Sequence, residues 1–281
     1  MRIRKMQKSD LDFAAESAYL EGWRSETREM FNNLLAFQPQ GCFIAEVNGC
    51  RAGLCIGIGY IKSGFVGELI VRKEYRGKNL GPLLLNHTIK YLEDRGIQSI
   101  FLDGVPRAVP FYEITGFRKI CQSLRYIAAP APELSPFVFP MTKKNVNEVC
   151  DFDLDAIEAD RSFFIQRLLS KSPHLCKIIK REGRITGYIQ GHEAGDIVCA
   201  GPWIVREEEN DPLILLRALA AGTGGRKIRI GVLETNTHAV SLIQSLPSAE
   251  PQKMSWRMCR GPESSLGMSA MCYAIGSPAK G

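Results

Sequence analysis

The chain has 281 residues, a formal net charge of +6 and an ordinary soluble composition, with 45% hydrophobic and 23% charged residues. This length favours two domains, and a charge so mild and dispersed argues against a nucleic-acid partner. No apolar run is long enough to cross a membrane, and no apolar h-region follows the basic start, so we expect neither a membrane partner nor a secretory signal.

The cysteines and histidines argue against disulfides and metal. The nine cysteines are scattered without a Cys-x-x-Cys pair, which indicates reduced, mostly buried thiols in a cytoplasmic protein. The four histidines lack the spacing of metal ligands, so no metal site is predicted.

The first part of the chain has the apolar periodicity of the order β-α-α-β-β-β. The dipeptide Asn48-Gly49 is a strong hairpin signal between the second and third strands, and Ser63-Gly64 is expected to turn the chain into the fourth. The predicted strands are residues 2–6, 42–47, 52–61 and 65–71, and the predicted helices are residues 9–22 and 26–37.

A short basic loop then joins the strand ending at Val71 to a helix with apolar periodicity. A helix N-terminus offers unpaired N–H groups and the positive end of the helix dipole. Gly77 and Gly81 let the backbone approach a ligand closely, and Arg76 and Lys78 add positive charge. The stretch predicts a pyrophosphate site, although an ordinary strand-to-helix loop with surface cations is the alternative interpretation.

The loop is neither of two common nucleotide motifs. It lacks the Gly-Lys-Ser/Thr ending of a nucleotide-triphosphate loop and the three-glycine spacing of a Rossmann fingerprint. Beyond it the pattern continues α-β-α-β, with Gly116 as the predicted end signal of the second helix. The predicted elements are a helix at 82–92, a strand at 99–103, a helix at 107–115 and a strand at 117–121.

Together these features resemble the GNAT acetyltransferases over about residues 1–126. The run Arg-Gly-Lys-Asn-Leu-Gly at residues 76–81 is similar to that family's acetyl-CoA loop, and residues 110–117 are similar to its Tyr-x-x-x-Gly-Phe motif. Asn79 replaces the family's inner glycine, and asparagine tolerates positive φ better than other non-glycine residues, so the loop shape is expected to persist. The resemblance implies an α/β (α+β) fold and acetyl-CoA as co-substrate.

The resemblance also implies roles for individual residues. Tyr112 matches the tyrosine that protonates the departing CoA thiolate. The strand ending at Val71 is expected to carry a bulge and to splay from its neighbour, so that a backbone amide meets the thioester carbonyl. The implied cofactor-binding residues are Leu69, Ile70, Val71, Arg76, Gly77, Lys78, Asn79, Leu80 and Gly81.

A base and an acceptor site are assigned from carboxylates and an aromatic ring. Glu68 is the candidate base, because a carboxylate in a half-buried strand needs a cavity or a partner; Asp103 is the alternative. Glu21 and Trp23 lie in the helix–helix turn that covers the acceptor site in GNAT enzymes, and they suit an ammonium substrate. Each also has an ordinary structural interpretation, as a solvated or turn-forming residue or as an anchor of that turn.

A Pro/Ala-rich stretch at residues 129–136 predicts a linker. It would separate an acetyl-CoA-binding GNAT domain, residues 1–128, from a degenerate GNAT-like domain, residues 137–281. Each is expected to be a twisted, mixed, mostly antiparallel sheet flanked by helices, as in a bacterial and archaeal subgroup of the family. In the second domain, residues 145–170 predict one helix, and residues 256–260 are expected to begin a closing hairpin.

The second domain differs from the first where the cofactor would bind. Its strand-to-helix loop, residues 206–212, is acidic and has no glycine, so it should repel pyrophosphate. An acidic string could attract a cationic substrate, although a solvated helix face explains it at least as well. Its members are Asp151, Asp153, Asp155, Glu158 and Asp160.

The sequence thus predicts an N-acetyltransferase that passes an acetyl group from acetyl-CoA to a primary amine, either a small molecule or a lysine side chain. Direct attack in a ternary complex is expected, because no cysteine is placed as an obvious nucleophile. The alternative is a non-catalytic acyl-CoA sensor or a structural tandem module. We expect a cytoplasmic monomer or homodimer.

Overall fold

The computed structural model describes residues 1–262 and 267–277. Its first half follows the predicted order β-α-α-β-β-β-α-β-α-β, which is confirmed. The strands are β1 Arg2–Lys5, β2 Cys42–Val47, β3 Cys50–Gly59, β4 Ser63–Val71, β5 Ser99–Gly104 and β6 Arg118–Ala128. The helices are α1 Leu11–Leu20, α2 Arg28–Phe37, α3 Leu80–Glu93 and α4 Val109–Glu113.

The second half repeats this plan after a connection without helix or strand at residues 129–136. Its strands are β7 Val138–Pro140, β8 Lys177–Arg181, β9 Arg184–Ala194, β10 Ile197–Val205, β11 Ile228–Leu233, β12 Glu250–Pro251, β13 Ser255–Arg260 and β14 Cys272–Ala274. Its helices are α5 Val146–Ile157, α6 Ser162–Lys171, α7 Leu213–Ala220 and α8 Thr237–Gln244.

The two halves share one continuous sheet, in the order β1-β2-β3-β4-β5-β13-β6-β11-β10-β9-β8-β7. Each half inserts a strand into the other. Strand β13 lies between β5 and β6, with Met258 opposite Leu102 and Lys119. Strand β6 in turn pairs with β11, from Ser123 opposite Leu233 to Ala128 opposite Ile228.

Helices cover both faces of this sheet. Helices α1, α2, α5 and α6 pack on one face, here called the front, where both halves contribute to one apolar cluster. Helices α3 and α4 cover the back of the first half, and α7 and α8 cover the back of the second. Over residues 1–262 and 267–277, no helix combines the length and apolarity that a bilayer crossing requires.

Local sequence signals explain several turns. Asn48 and Gly49 both have positive φ, 51° and 80°, as a tight two-residue hairpin requires. Ser63 and Gly64, predicted as a turn, instead begin β4: Gly64 lies opposite Gly59, and Ser63 lies opposite Ser99. The chain therefore reverses between Gly59 and Ser63.

Two predictions in the second half are wrong. Residues 145–170 form two helices, because Glu158 adopts φ 56° and ends α5. Residues 256–260 do not begin a hairpin within their own half, since β13 pairs with β5 and β6 of the first half.

In the first half, the strand predicted at 117–121 continues to Ala128. Strand β11 pairs with this added part, and the local sequence does not reveal that partner.

Candidate active site

The basic loop has the shape that its glycines and Asn79 require. Gly77 has φ 76°, and Asn79 has φ 60° and ψ 16°, so both lie in the left-handed region. Asn79 is the N-cap residue of α3, a helix of 14 residues. The asparagine therefore preserves the turn, and the first N–H groups of α3 are left without partners inside the helix.

The loop, β4 and α4 enclose one cleft of about 590 Å³. The predicted site residues that line it are Leu69, Val71, Arg76, Gly77, Asn79, Leu80, Gly81 and Tyr112. The structure thus brings together the loop and the tyrosine, which are more than thirty residues apart in the sequence.

Four lining residues were not predicted from the sequence: Tyr75, Pro82, Ala108 and Phe111. Tyr75 and Pro82 flank the loop, and Ala108 and Phe111 precede Tyr112. Their position in the sequence next to the two motifs was the signal that could have identified them. Glu68, Glu21 and Trp23 lie outside the lining, and so do two of the predicted cofactor-binding residues. The side chain of Ile70 is buried in the front cluster, and the Lys78 amino group lies 5.5 Å from the centroid of the Tyr75 ring.

Strand β4 carries a bulge beside the cleft. Ile56 of β3 lies opposite Gly67 and Leu54 lies opposite Ile70, so β4 has one extra residue between these pairs. Glu68, one of the residues in the bulge, has a positive φ of 55°. This places Glu68 and Leu69 outside the regular register with β3, an arrangement that re-aims backbone and side chains next to active sites.

Strand β4 also parts from β5. The two strands pair in parallel only where Ser63–Phe65 lies beside Ser99–Phe101. Beyond these pairs β4 continues to Val71 and β5 to Gly104. We call the gap beyond these pairs the first opening. It lies between the bulge of β4 and the end of β5.

Tyr112 stands over the end of β5. Its ring lies so close to Gly104 that a Cβ built there would be 3.0 Å from two ring atoms. Phe111 and Phe117 pack edgewise against it, with centroids 5.1 and 6.1 Å away. Burial raises the pKa of Tyr112 above its ordinary value, so the phenol keeps its proton at neutral and moderately alkaline pH.

Glu68 is buried, with 6% of its surface exposed. It adjoins Cys55 of β3. Burial raises the pKa of the Cys55 thiol to about 12, and the nearby Glu68 carboxylate acts in the same direction. Cys55 is therefore a neutral core thiol and not a nucleophile.

Glu21 joins the loop to the turn between α1 and α2. Arg76 donates to its Oε1 through Nη2, and Arg107 donates to its Oε2 at 3.3 Å. Arg76 also donates through Nε to the carbonyl oxygen of Val71 at 2.9 Å. Trp23 is half-buried and packs against the front cluster. Glu21 thus contacts two cations of the protein itself.

The side chain of Asp103, the alternative base, is fully buried and bonded to cations. It accepts from Arg257 Nε at 2.5 Å, from Arg125 Nη2 at 3.3 Å and from the Ser123 hydroxyl at 2.9 Å. Burial alone would raise its pKa, but Arg257 and then Arg125 outweigh burial and hold the pKa below the usual value. Asp103 is a structural anion at the junction of the halves.

The acidic string of the second half is not a single surface. Asp153 is fully buried, and Arg161 Nη2 donates to it at 2.6 Å. Glu158 ends the helix in the left-handed conformation. Among the described residues, no group of three or more His, Cys, Asp or Glu is placed to hold a metal ion.

Comparisons with known proteins agree with this geometry. A family model described as "Acetyltransferase (GNAT) family" matches residues 9–117, and one described as "Acetyltransferase (GNAT) domain" matches residues 149–274. The uncharacterized N-acetyltransferase YitH of Bacillus subtilis is 28% identical over 195 residues, which is 66% of each chain. The match thus spans just under two thirds of that relative's length.

Solved structures show the same fold over the whole chain. A Pyrococcus horikoshii crystal structure of a candidate acetyltransferase aligns with a TM-score of 0.81 at 21% identity, covering 100% of this chain and 95% of that one. A tandem GNAT protein from the clavulanic acid biosynthesis pathway aligns with a TM-score of 0.64 at 13% identity, covering 94% and 99%. The chain belongs to the GNAT acetyltransferase family and carries a second GNAT-like domain behind the first.

Proposed function

We propose that this protein is an acetyl-CoA-dependent N-acetyltransferase acting on a primary amine, either a small molecule or a lysine side chain. The observation that carries the proposal is the single cleft that joins the loop at the start of α3, the bulged end of β4 and Tyr112. These are an anion site, a set of re-aimed backbone donors and a neutral phenol within one cavity.

The loop residues fit a pyrophosphate. The N-terminus of α3 offers unpaired N–H groups and the positive end of the dipole, and the left-handed φ of Gly77 and Asn79 shapes the backbone around it. Arg76, 43% exposed in its side chain, would exchange its ion pair with Glu21 for one with a phosphate at the mouth of the cleft. Bound there, acetyl-CoA would supply an activated acetyl group.

The bulge would stabilise the reaction's developing negative charge. Backbone amides of Leu69 to Val71 would donate to the carbonyl oxygen of the acetyl group as the amine attacks its carbon. Tyr112 would donate its phenolic proton to the sulfur as the carbon–sulfur bond breaks. Glu68, on the same bulge, would accept a proton from the substrate's ammonium group, directly or through water, so that the neutral amine can attack.

Direct transfer from the thioester to the amine is proposed because none of the described residues that line the cleft is a cysteine. Cys55 lies beneath the bulge with a pKa raised to about 12 by burial. A neutral thiol is a poor nucleophile, so an acetylated-cysteine intermediate has no suitable residue there.

The first experiment is calorimetric titration of the protein with acetyl-CoA. We expect micromolar binding, and we expect the double variant Arg76→Ala/Lys78→Ala to bind about 10- to 100-fold more weakly, since charge-assisted contacts to phosphate are lost. The matched control is Lys90→Ala/Arg95→Ala, which removes two cations near the other end of α3 and should bind like the wild type.

Release of free CoA in the presence of an amine panel then tests catalysis. Binding without release for any small amine or lysine peptide would point to a non-catalytic acyl-CoA sensor. Absence of binding by the wild type would overturn the cofactor assignment, and with it the whole proposal.

A further inference from the structure

The second half builds the same opening as the first. Strands β10 and β11 are registered in parallel only over Val198–Ala200 with Ile228–Ile230. Strand β10 also has one extra residue relative to β9, because Ala200 lies opposite Gly191 while Trp203 lies opposite Ile189. A bulged strand therefore diverges from its parallel neighbour here too. We call this gap the second opening.

The chain's own C-terminal segment lies in the second opening. Strand β14 pairs antiparallel with β10, with Ala274 opposite Trp203 and Cys272 opposite Ile204. On the other side, Ile275 N donates to the carbonyl oxygen of Gly231 in β11 at 2.9 Å. Residues 271–275 thus bond to the backbones of both strands that diverge.

The fit around this segment is close. A Cβ on Gly201 would lie 2.1 Å from the carbonyl oxygen of Ile275, and Gly201 has φ 141°, so the bulge accommodates the segment only with glycine there. The Asn236 side-chain amide donates to the carbonyl oxygen of Cys272 at 3.1 Å. The Tyr273 hydroxyl lies 2.8 Å from Nδ1 of His238.

The segment is part of the core and not a surface flap. Its four residues from Cys272 to Ile275 are each at most 3% exposed. Cys272 and Ile275 join the front cluster, while Tyr273 and Ala274 join the cluster on the back of the second half. Removing the segment would open two apolar clusters at once.

The loop at the start of α7 gives a second, independent reason why the second half should not take a CoA ester. Glu209 is 7% exposed and accepts from Arg181 Nη2 at 2.7 Å. The corresponding place in the first half is the exposed, basic Arg76–Lys78 stretch. A buried, ion-paired carboxylate thus stands here where the first half has exposed cations, and a carboxylate repels a pyrophosphate.

We infer that residues 271–275 permanently occupy the second half's counterpart of the acyl-CoA opening, so that the chain offers one acyl-CoA site, in the first half. The location of that one site rests on the proposed function. The occupation of the second opening is a separate property of the chain and is tested without any ligand.

Hydrogen–deuterium exchange on the full chain without ligand is that test. The amides of Val205 and Ile275 should exchange as slowly as the core strands, whereas residues 69–71 beside the first opening should exchange faster. Exchange of residues 271–275 as fast as that of the connection at 129–136 would overturn the inference.

A matched pair of variants tests the fit. Gly201→Ala forces a Cβ against Ile275, and we expect exchange across 271–275 to become about tenfold faster or more. Gly195→Ala introduces the same alanine at a positive φ of 67°, in open space, and should leave that exchange unchanged. Equal effects of the two variants would contradict a close fit.

Native mass spectrometry with acetyl-CoA completes the experiment. One bound equivalent is expected, with ligand-induced protection at residues 69–71 and none at β10. Two equivalents would overturn the inference. Absence of binding would refute the proposed function, while the ligand-free exchange result would still decide whether the second opening is filled.

Discussion

Tyr112 is the residue whose environment most clearly matches a chemical task. Its phenol is neutral because burial raises its pKa, and the edgewise rings of Phe111 and Phe117 fix its orientation. A group that stays protonated and is held at the end of an opening is suited to donate a proton to a leaving group.

Replacing Tyr112 with phenylalanine should lower kcat by about 100-fold or more, because a positioned general acid contributes about that much. The Kd for acetyl-CoA, measured by calorimetry, should change little, because the ring and its packing remain.

The control is Tyr91→Phe, which removes a hydroxyl on α3 that accepts from Gln38. It should leave kcat unaltered. Unchanged turnover in Tyr112→Phe would remove this tyrosine from the mechanism.

Asn79 has a φ of 60°, in the left-handed region. A β-branched residue is strained by about 1–2 kcal/mol at that φ. Asn79→Gly should keep wild-type affinity for acetyl-CoA. Asn79→Val should weaken it by about tenfold or more, since the loop must leave its left-handed turn. Calorimetric Kd values decide this.

Asn48→Val is the matched control for strain alone. Asn48 has φ 51° in an exposed hairpin, so the valine there should lower Tm without changing the Kd. Equal loss of affinity in both valine variants would mean that general destabilisation, not loop shape, explains the effect.

At the scale of elements, the end of β5 positions α4. Gly104 leaves room for the Tyr112 ring, and any side chain there would push the ring away from the first opening. The site thus depends on contacts between elements that are distant from the loop motif.

Gly104→Ala should therefore lower kcat while leaving acetyl-CoA affinity close to wild type. The measurement is the pair of kcat and Kd values. Gly59→Ala, whose added Cβ would meet nothing closer than 3.9 Å, is the control and should alter neither. A rise in Kd alone, without a change in turnover, would contradict the positioning role.

The elements that local sequence predicted are those specified by local chemistry. The hairpin at Asn48-Gly49, the α3 helix behind its loop and the turn at Gly116 after α4 all depend on nearby residues, and each lies close to its predicted place. The cleft residues followed from two short motifs for the same reason.

The features that escaped prediction depend on residues far apart in the chain. Residues 145–170 have continuous helical periodicity, but the chain breaks at Glu158 and allows Arg161 to reach back to the buried Asp153. Likewise Asp103 has the sequence context of a strand-end residue. Only the arrival of Arg257 from the far end of the chain shows that it is an internal anion.

At the scale of the whole molecule, the exchange of β6 and β13 makes the halves interdependent. A chain ending at residue 136 would lack β13 and β11, leaving both edges of β6 and one edge of β5 unpaired. We expect it to be insoluble or to lack cooperative thermal unfolding, although the connection at 129–136 resembles a domain linker.

Co-expression of residues 137–281 should restore a soluble complex that unfolds cooperatively, which separates the loss of a partner strand from damage to the fragment itself. A fragment ending at 136 that folds alone and binds acetyl-CoA would show that the exchange is not required.

The ion pair between Asp103 and Arg257 predicts a pH dependence of stability. The pKa of Asp103 is lower in the folded protein than the usual value of about 3.9. Its stabilisation is therefore complete above about pH 4–5 and is lost as pH falls through the folded pKa. Asp103→Asn leaves Arg257 buried without its anion and should reduce stability at neutral pH by about 3–5 kcal/mol.

Denaturant titration across pH checks this. The stability of Asp103→Asn should fall less steeply with acidification than that of the wild type. Asp94→Asn, which removes a carboxylate that is 60% exposed, should reproduce the wild-type curve. Parallel acid limbs for wild type and Asp103→Asn would contradict the assignment.

The place of β13 also has a consequence for synthesis on the ribosome. Residues 1–128 leave the exit tunnel long before residues 255–260, yet β13 is the strand that lies against both β5 and β6. The nascent first half must wait, with two strand edges uncovered, until residues 255–260 have been translated and have left the tunnel. Completion of the first half's sheet thus depends on translation of residues 255–260, and a chain that stops before them leaves β5 and β6 without this shared partner.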